Sequence, residues 1–139
     1  MAEYHRTTWP TLRRNTQLLD GFIDLNGDYM PGKSTLVICS DDINNLKFLC
    51  GLLNSKLAIF YIKSKYVSSS YCGGITFSKD MINNFPVSSL TGFKEKVISI
   101  VDKILDSGYS IDLNKLLNET IYSSYNLSSA ERRIIEQSI

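Results

Sequence analysis

The fold of this chain is organised around Leu52–Pro86, LLNSKLAIFYIKSKYVSSSYCGGITFSKDMINNFP. This segment begins with an apolar helical pattern, continues as a loop rich in Ser, Tyr and Gly, and ends in a short polar helix that Pro86 terminates. No acidic residue lies between Asp42 and Asp80. That interval nevertheless contains five lysines, Lys47, Lys56, Lys63, Lys65 and Lys79. A segment so one-sided in charge predicts a surface for a polyanion.

Length and charge indicate one globular domain whose two parts differ in sign. The 139 residues are 43% hydrophobic and 21% charged, which suits a single domain with a buried core. Residues 1–79 carry nine Lys/Arg against six Asp/Glu, a net charge of +3. Residues 80–139 carry six against eight, a net charge of −2. The positive part contains most of the organising segment, from Leu52 to Lys79.

The cysteines and the single histidine argue against disulfides and against zinc. Cys39, Cys50 and Cys72 are odd in number and widely spaced, which is typical of reduced thiols in a cytoplasmic protein. His5 is accompanied by no C-x-x-C motif, so no metal site is predicted. We also expect no secretory leader, because Met1 to Pro10 is polar, and no membrane span, because no run of 18 apolar residues occurs.

The N-terminal part carries the predicted β-structure. Residues 1–18 lack any periodicity and are interpreted as an irregular leader. Asn26-Gly27 has the chemistry of a two-residue hairpin turn, and β-branched or aromatic runs lie on either side of turn residues. Strands are therefore predicted at Phe22–Leu25, Tyr29-Met30, Ser34–Cys39 and Ile75–Phe77.

Helices are predicted where capping residues precede apolar residues at helical spacing. The predicted caps are Ser40-Asp41-Asp42, Ser55, Ser78, Thr91 and the capping box Ser128–Glu131. The predicted helices span residues 42–53, a segment restarting at Ser55, then 79–85, 92–107, 112–125 and a last helix to about 137. Their predicted core faces include Leu46, Leu49, Cys50 and Leu53, then Leu57, Phe60 and Tyr61, then Phe93, Val97, Ile100, Val101 and Ile104, and finally Leu113, Leu117 and Ile121.

A catalytic function is not supported by the residues present. The sequence contains no phosphate-binding glycine loop, no dinucleotide fingerprint and no nucleophile elbow. His5 lies in the irregular start, so neither a serine nor a cysteine has a credible base. Asp41-Asp42 is interpreted as a helix cap rather than a metal-binding pair. No catalytic residue and no cofactor are therefore assigned to this chain.

The acid-free segment predicts a DNA-facing loop. Lysines supply phosphate contacts, hydroxyls and phenols can read base edges, and glycines allow close approach of the backbone. The predicted phosphate contacts are Lys63, Lys65 and Lys79. The predicted groove-lining residues are Tyr66, Ser68, Ser69, Ser70 and Tyr71, followed by the diglycine Gly73 and Gly74. The alternative is a solvated polar loop whose aromatic residues pack on the core.

The order of short motifs in this region resembles a known family. Leu52–Leu57, Phe60–Lys63, Gly73-Gly74, Phe77–Lys79 and Asn84–Val87 are similar to the TaqI-like C-terminal specificity domain of restriction-modification DNA methyltransferases and type IIG restriction enzymes. The tail from Ile121 to Ser128, with Glu131 and Ile134-Ile135-Glu136, is similar to the end of the same proteins. The methyltransferase glycine loop and N-P-P-Y tetrad are absent from the sequence given.

The resemblance implies a fold and a function. It implies an α+β fold, with a small β-sheet core and packed helices over residues 19–87 as the target-recognition core. A helical C-terminal extension over residues 88–139 would complete one structural domain. The module would recognise double-stranded DNA for a separate adenine-methyltransferase or endonuclease part, in cis or as a subunit. S-adenosylmethionine would belong to that catalytic part.

Two alternatives to DNA recognition are kept. The chain could instead be a protein-interaction module that docks a methyltransferase or endonuclease subunit through its acidic helical tail, with little DNA binding of its own. A free-standing enzyme ranks last, because a base, a metal site and a cofactor loop are all missing.

Overall fold

A computed structural model describes residues 23–28, 30, 36–66, 70–71, 74–75, 78–87 and 92–138. Within these residues the fold is a set of helices in a fixed order: α1 (Ile43–Leu53), α2 (Lys56–Lys65), α3 (Lys79–Asn83), α4 (Phe93–Ser107), α5 (Ile111–Ser124) and α6 (Ser129–Ser138). Two short strands, β1 (Ser70–Tyr71) and β2 (Gly74–Ile75), lie between α2 and α3. None of the helices in these ranges is long and apolar enough to cross a membrane.

The first two helices are separated by polar caps, as predicted. Asp42 caps α1, because its Oδ1 accepts the amides of Asn44 at 2.9 Å and Asn45 at 3.4 Å. Ser55 is completely buried at the junction. Its hydroxyl donates to the Leu52 carbonyl at 2.6 Å and accepts the Ala58 amide at 3.2 Å. One buried hydroxyl thus ends α1 and begins α2.

The remaining helix boundaries also follow local capping chemistry. Ser78 Oγ accepts the Met81 amide at 3.4 Å, which begins α3. The capping box before α6 is confirmed: the Ser128 amide donates to Glu131 Oε2 at 2.6 Å, and the Glu131 amide donates to Ser128 Oγ at 3.2 Å. The sequence predicts Thr91 as the cap of α4, and this prediction is wrong. The cap is Gly92, whose φ of 90° is a conformation that glycine adopts without strain.

The core lies between α1, α4 and α5. α1 packs along α4, and α4 packs along α5, while α2 contacts both α5 and α6. The apolar stripe predicted for α4 is buried at Val97, Ile100, Val101 and Ile104. Gly51 allows the close approach of α1, since a Cβ there would lie 2.7 Å from Val97 Cγ1 and 3.0 Å from Val101 Cγ2. The buried cluster therefore joins residues from both halves of the chain.

The predicted α+β fold with a small β-sheet core is wrong. Among the described residues, β-structure consists of the two-residue antiparallel pair β1–β2 and an isolated bridge at Ile38. The described parts of the strands predicted at Phe22–Leu25 and Ser34–Cys39 contain no strand. Phe22, Tyr29, residues 31–35 and residues 76–77 lie outside the described residues. The core is helical.

The side chain of Asp24 explains why the hairpin signal failed. Its buried Oδ1 accepts the amides of Asn26 at 3.2 Å and Gly27 at 2.9 Å. Gly27 does adopt a positive φ of 70°, so the turn itself is present. Because a side chain occupies these amides, they are not available for a strand ladder. The Asn-Gly signal correctly indicates a turn here but does not require strands on either side.

The apolar face of α2 is also displaced from the predicted one. Leu57, Phe60 and Tyr61 were expected in the core, yet each is only partly buried. The buried residues of α2 are Ala58, Ile59 and Ile62. Leu57 and Tyr61 pack at the edge of the core instead. This rotation places Tyr61 where its ring contacts apolar residues and its hydroxyl can reach the surface.

Candidate nucleic-acid interface

The C-terminal end of α2 carries the first three predicted site residues. Lys63 and Lys65 lie in the last turn, and Tyr66 is the C-cap, whose amide donates to the Ile62 carbonyl at 2.9 Å. Lys65 is exposed, whereas Lys63 and Tyr66 are partly buried. Cations in this turn interact favourably with the negative end of the helix dipole, so both lysines also stabilise α2.

Lys65 is held by two aromatic side chains. Its Nζ donates to Tyr61 Oη at 3.0 Å and lies 5.4 Å from the centre of the Tyr61 ring and 5.6 Å from that of Tyr66. The hydrogen bond with Tyr61, followed by charge interactions with Tyr61 and Tyr66, raises the pKa of Lys65 above its usual value. The ammonium is therefore fully charged at neutral pH.

The loop after α2 contains a tight reversal of the chain. Ser70 pairs with Ile75, and Tyr71 pairs with Gly74, in antiparallel register. This pairing joins three predicted site residues, Ser70, Tyr71 and Gly74, in one narrow hairpin. Ser68, Ser69 and Gly73 lie outside the described residues. Two-stranded antiparallel ribbons are among the elements that fit the major groove of DNA.

The last predicted site residue, Lys79, is the first residue of α3. It is exposed and follows the capping residue Ser78. Lys79 thus lies on a different element from Lys63 and Lys65. The segment after α3 does reach α2, because the Phe85 and Tyr61 rings form an edge contact with centroids 5.1 Å apart.

Two of the five lysines in the acid-free interval form ion pairs with carboxylates from other helices. Lys47 Nζ lies 2.6 Å from Asp102 Oδ1 on α4, and Lys56 Nζ lies 2.5 Å from Glu136 Oε2 on α6. Among the described residues, Lys63, Lys65 and Lys79 have no carboxylate within ion-pair distance. The unpaired lysines of the acid-free interval therefore lie on α2 and α3, the two helices that flank the 70–75 hairpin in the chain.

The N-terminal end of α2 is anchored to the helical extension. The Lys56 amide donates to Oδ1 of the buried Asn118 at 2.9 Å, and Asn118 Nδ2 donates to the Asn114 carbonyl at 3.0 Å. An asparagine on α5 thus satisfies an amide at the start of α2. The opposite end of the same helix presents Lys63 and Lys65, so α5 sets the position from which the lysines project.

Glu136 forms a second anchor between α6 and the rest of the protein. Its Oε1 accepts the hydroxyl of Tyr122 at 2.7 Å, while its Oε2 is paired with Lys56. Burial alone would raise the pKa of Glu136, but the hydrogen bonds from Lys56 and Tyr122 outweigh it and lower that pKa. Burial and the bond to Glu136 raise the pKa of Tyr122 well above its ordinary value. At neutral pH Glu136 is therefore a carboxylate and Tyr122 is a neutral phenol.

The described residues provide no metal centre. No group of three or more His, Cys, Asp or Glu side chains among them could hold an ion. His5 lies outside the described ranges. Asp42 serves as the helix cap that the sequence predicts.

The sequence places Tyr61 in the core together with Leu57 and Phe60, and it does not predict the contact of Tyr61 with Lys65. The spacing does indicate this contact, because Tyr61 and Lys65 are four residues apart and such side chains are neighbours on a helix.

No family model, no curated protein and no solved structure matches this chain.

Proposed function

We propose that this chain is a DNA sequence-recognition domain of a restriction-modification enzyme. It positions a separate adenine-methyltransferase or endonuclease part on its target site in the cytoplasm. The observation that carries the proposal is the unneutralised charge of Lys63, Lys65 and Lys79 on either side of the 70–75 hairpin. The proposed site residues remain those predicted from the sequence, with Lys63 and Lys65 as phosphate contacts.

The residues of the proposed site fall into two groups with different roles, contact with phosphates and reading of the bases. Phosphate contacts fix the register of a protein on duplex DNA, and sequence is read at the base edges. We assign the first role to the lysines of α2 and α3. We assign the second to the segment between them, which contains Tyr66, the three serines and Tyr71. Its narrow antiparallel pair has a shape that a major groove admits.

The family resemblance supports the same proposal through residues with clear structural roles. Ser55 of the Leu-Leu-Asn-Ser-Lys motif caps α2, and Ser78 of the Phe-Ser-Lys motif caps α3. The Pro86 carbonyl accepts a hydrogen bond from Tyr125 Oη at 2.5 Å, which ties the last motif to α5. The motifs would thus hold the two helices on either side of a variable loop. Methylation or cleavage, with S-adenosylmethionine, is assigned to the separate catalytic part.

The proposal is tested by selection from a pool of random DNA duplexes, followed by fluorescence anisotropy on the enriched sequence. We expect one short sequence to be enriched and to bind more tightly than unrelated duplexes. The variant K63E/K65E should lose at least tenfold in affinity at low salt, because two attractive phosphate contacts become repulsive. Retention of wild-type affinity by this variant would refute the assignment of the site.

The matched control is K96E/K103E, which changes the net charge by the same amount. Lys96 and Lys103 are exposed on α4, a helix that carries none of the proposed site residues. The control should bind within about twofold of the wild type, since neither lysine is a proposed DNA contact and the charges of exposed side chains are screened by salt. Equal losses in both double variants would mean that the overall charge of the protein, and not the end of α2, attracts DNA.

The second candidate function is a protein-interaction module for the same catalytic part. The observation behind it is that the last two helices expose apolar side chains: Ile111, Leu116 and Ile134 are 76%, 48% and 55% exposed. Covering exposed apolar surface with a partner protein removes it from water, which favours association. A chain that fails to bind any duplex at low salt, while binding a methyltransferase or endonuclease subunit, would establish this function instead.

A further inference from the structure

The surface around Lys65 contains an arrangement that a free surface lysine does not have. The ammonium donates to one phenol oxygen at 3.0 Å and lies within 6 Å of two aromatic ring centres. Among the described residues, no carboxylate competes for it. Its position is therefore determined by tyrosines rather than by a counter-charge.

The partner that positions this ammonium is itself fixed. The Tyr61 ring packs at the edge of the core, and its edge contact with the buried Phe85 has an interplanar angle of 77°. The Tyr61 hydroxyl projects from this anchored ring to the lysine. A flexible four-carbon side chain is thereby tied to a rigid part of the protein.

The Lys65 ammonium still has N–H donors available for a ligand. A lysine ammonium has three N–H donors, and Tyr61 Oη accepts one of them. The other donors can reach an anionic oxygen without breaking the contact with Tyr61. Fixing the side chain beforehand reduces the rotamer freedom lost on binding, which raises affinity without a new contact.

We propose that Tyr61 is a positioning residue that holds the Lys65 ammonium ready for a non-bridging phosphodiester oxygen of duplex DNA. This inference rests on the proposed function and adds a residue that the predicted site did not include. Tyr61 itself does not touch the DNA. It fixes the register of the protein on the backbone through Lys65, and base reading is left to the hairpin.

A double-mutant cycle of Y61F and K65Q tests the inference in the full chain. Y61F removes the hydroxyl but keeps the ring against Phe85 and beneath the ammonium. We expect it to lower duplex affinity about 3- to 10-fold, the usual effect of one lost hydrogen bond. The slope of log K against log salt should stay unchanged, because the lysine charge remains. K65Q should reduce the magnitude of that slope by about 0.9, which corresponds to one phosphate contact.

The coupling between the two variants decides the outcome. Adding Y61F to K65Q should cause no further loss, because the hydroxyl then has no ammonium to position. The inference is wrong if Y61F binds duplex like the wild type. It is also wrong if Y61F reduces duplex affinity by the same factor in the wild-type and K65Q proteins. Such a result, combined with a reduced slope in K65Q, would leave the proposed function intact. If the wild-type chain binds no duplex, both proposals fail together.

Two further measurements exclude a merely structural effect. The control K96Q removes another lysine that lies over an aromatic ring, at 5.2 Å from the centre of Phe93 on α4. K96Q should leave affinity and slope unchanged, and a loss equal to that of K65Q would overturn the inference. The urea midpoint of Y61F should equal that of the wild type. A lowered midpoint that accounts for the affinity loss would also overturn it.

Discussion

Lys56 on α2 is paired with Glu136 on α6, with 2.5 Å between Nζ and Oε2, although 80 residues separate them in the chain. The pair removes one cation from the surface that the sequence predicts. It also fixes the last helix against the helix that carries the proposed DNA contacts. Charge neutralisation and the position of α2 are therefore set by the same contact.

The first prediction concerns the pH dependence of this contact. Because the folded-state pKa of Glu136 is lowered, its stabilisation is present above the unfolded value of about 4.5 and is lost as the pH falls through the folded value. E136Q should lower the free energy of unfolding by about 0.2–1 kcal/mol at pH 7, the range for a solvent-exposed pair. Urea titrations at pH 7 and below pH 4 measure the difference.

The two proteins should become equally stable at acid pH, because a protonated Glu136 resembles glutamine. E131Q is not a suitable control, since Glu131 belongs to the capping box of α6. E95Q is suitable, because Glu95 is exposed on α4. A destabilisation by E136Q that is the same at both pH values would show that packing, and not the ionised carboxylate, is responsible.

The second prediction concerns the close approach of α1 and α4 at Gly51. Alanine usually stabilises a helix by about 0.5–1 kcal/mol relative to glycine. A Cβ at residue 51 would lie 2.7 Å from Val97 Cγ1, and the stiff β-branched Val97 cannot turn away easily. Overpacking costs about 1–3 kcal/mol, so G51A should destabilise the protein in a urea titration.

The clash can also be tested by shortening the Val97 side chain that causes it. In a V97A background the methyl that meets Cβ is absent, so G51A should be less harmful there than in the wild type. Stabilisation by G51A in the wild-type background would contradict the packing described for α1 and α4.

The third prediction concerns the amide at the start of α2. N118A removes the oxygen that accepts the Lys56 amide and leaves that amide without its side-chain partner. The expected loss is about 1–3 kcal/mol in the free energy of unfolding. The control N44A replaces an exposed asparagine of α1 and should change stability by less than about 0.5 kcal/mol. Equal effects of the two substitutions would rule out the capping role of Asn118.

The helices could be predicted from the sequence because their boundaries depend on neighbouring residues. Asp42, Ser55, Ser78 and the Ser128–Glu131 box each act within three residues of the helix they begin. Such signals need no knowledge of the tertiary fold. The strands failed for the opposite reason, since a strand needs a distant partner and the turn at Asp24–Gly27 is satisfied by its own side chain.

The candidate site was predictable only in part, again because of distance in the chain. Lys47 and Lys56 lie in an acid-free interval but pair with carboxylates from α4 and α6, which a count along the sequence cannot reveal. The rotation of α2 that places Tyr61 beside Lys65 depends on how Ala58, Ile59 and Ile62 pack. The three lysines that the sequence predicts as phosphate contacts are the three that remain unpaired, and the fold supplies the reason why the other two are excluded.

The salt dependence of duplex binding tests the central claim most directly. The wild-type chain and the variant K63Q/K65Q are titrated onto a fluorescent duplex between 50 and 200 mM salt, with K96Q/K103Q as the matched control. If Lys63 and Lys65 each contact a phosphate, their replacement reduces the magnitude of the slope of log K against log salt by about 1.8, and the control leaves it unchanged. An identical slope in the wild type and in K63Q/K65Q would contradict the account.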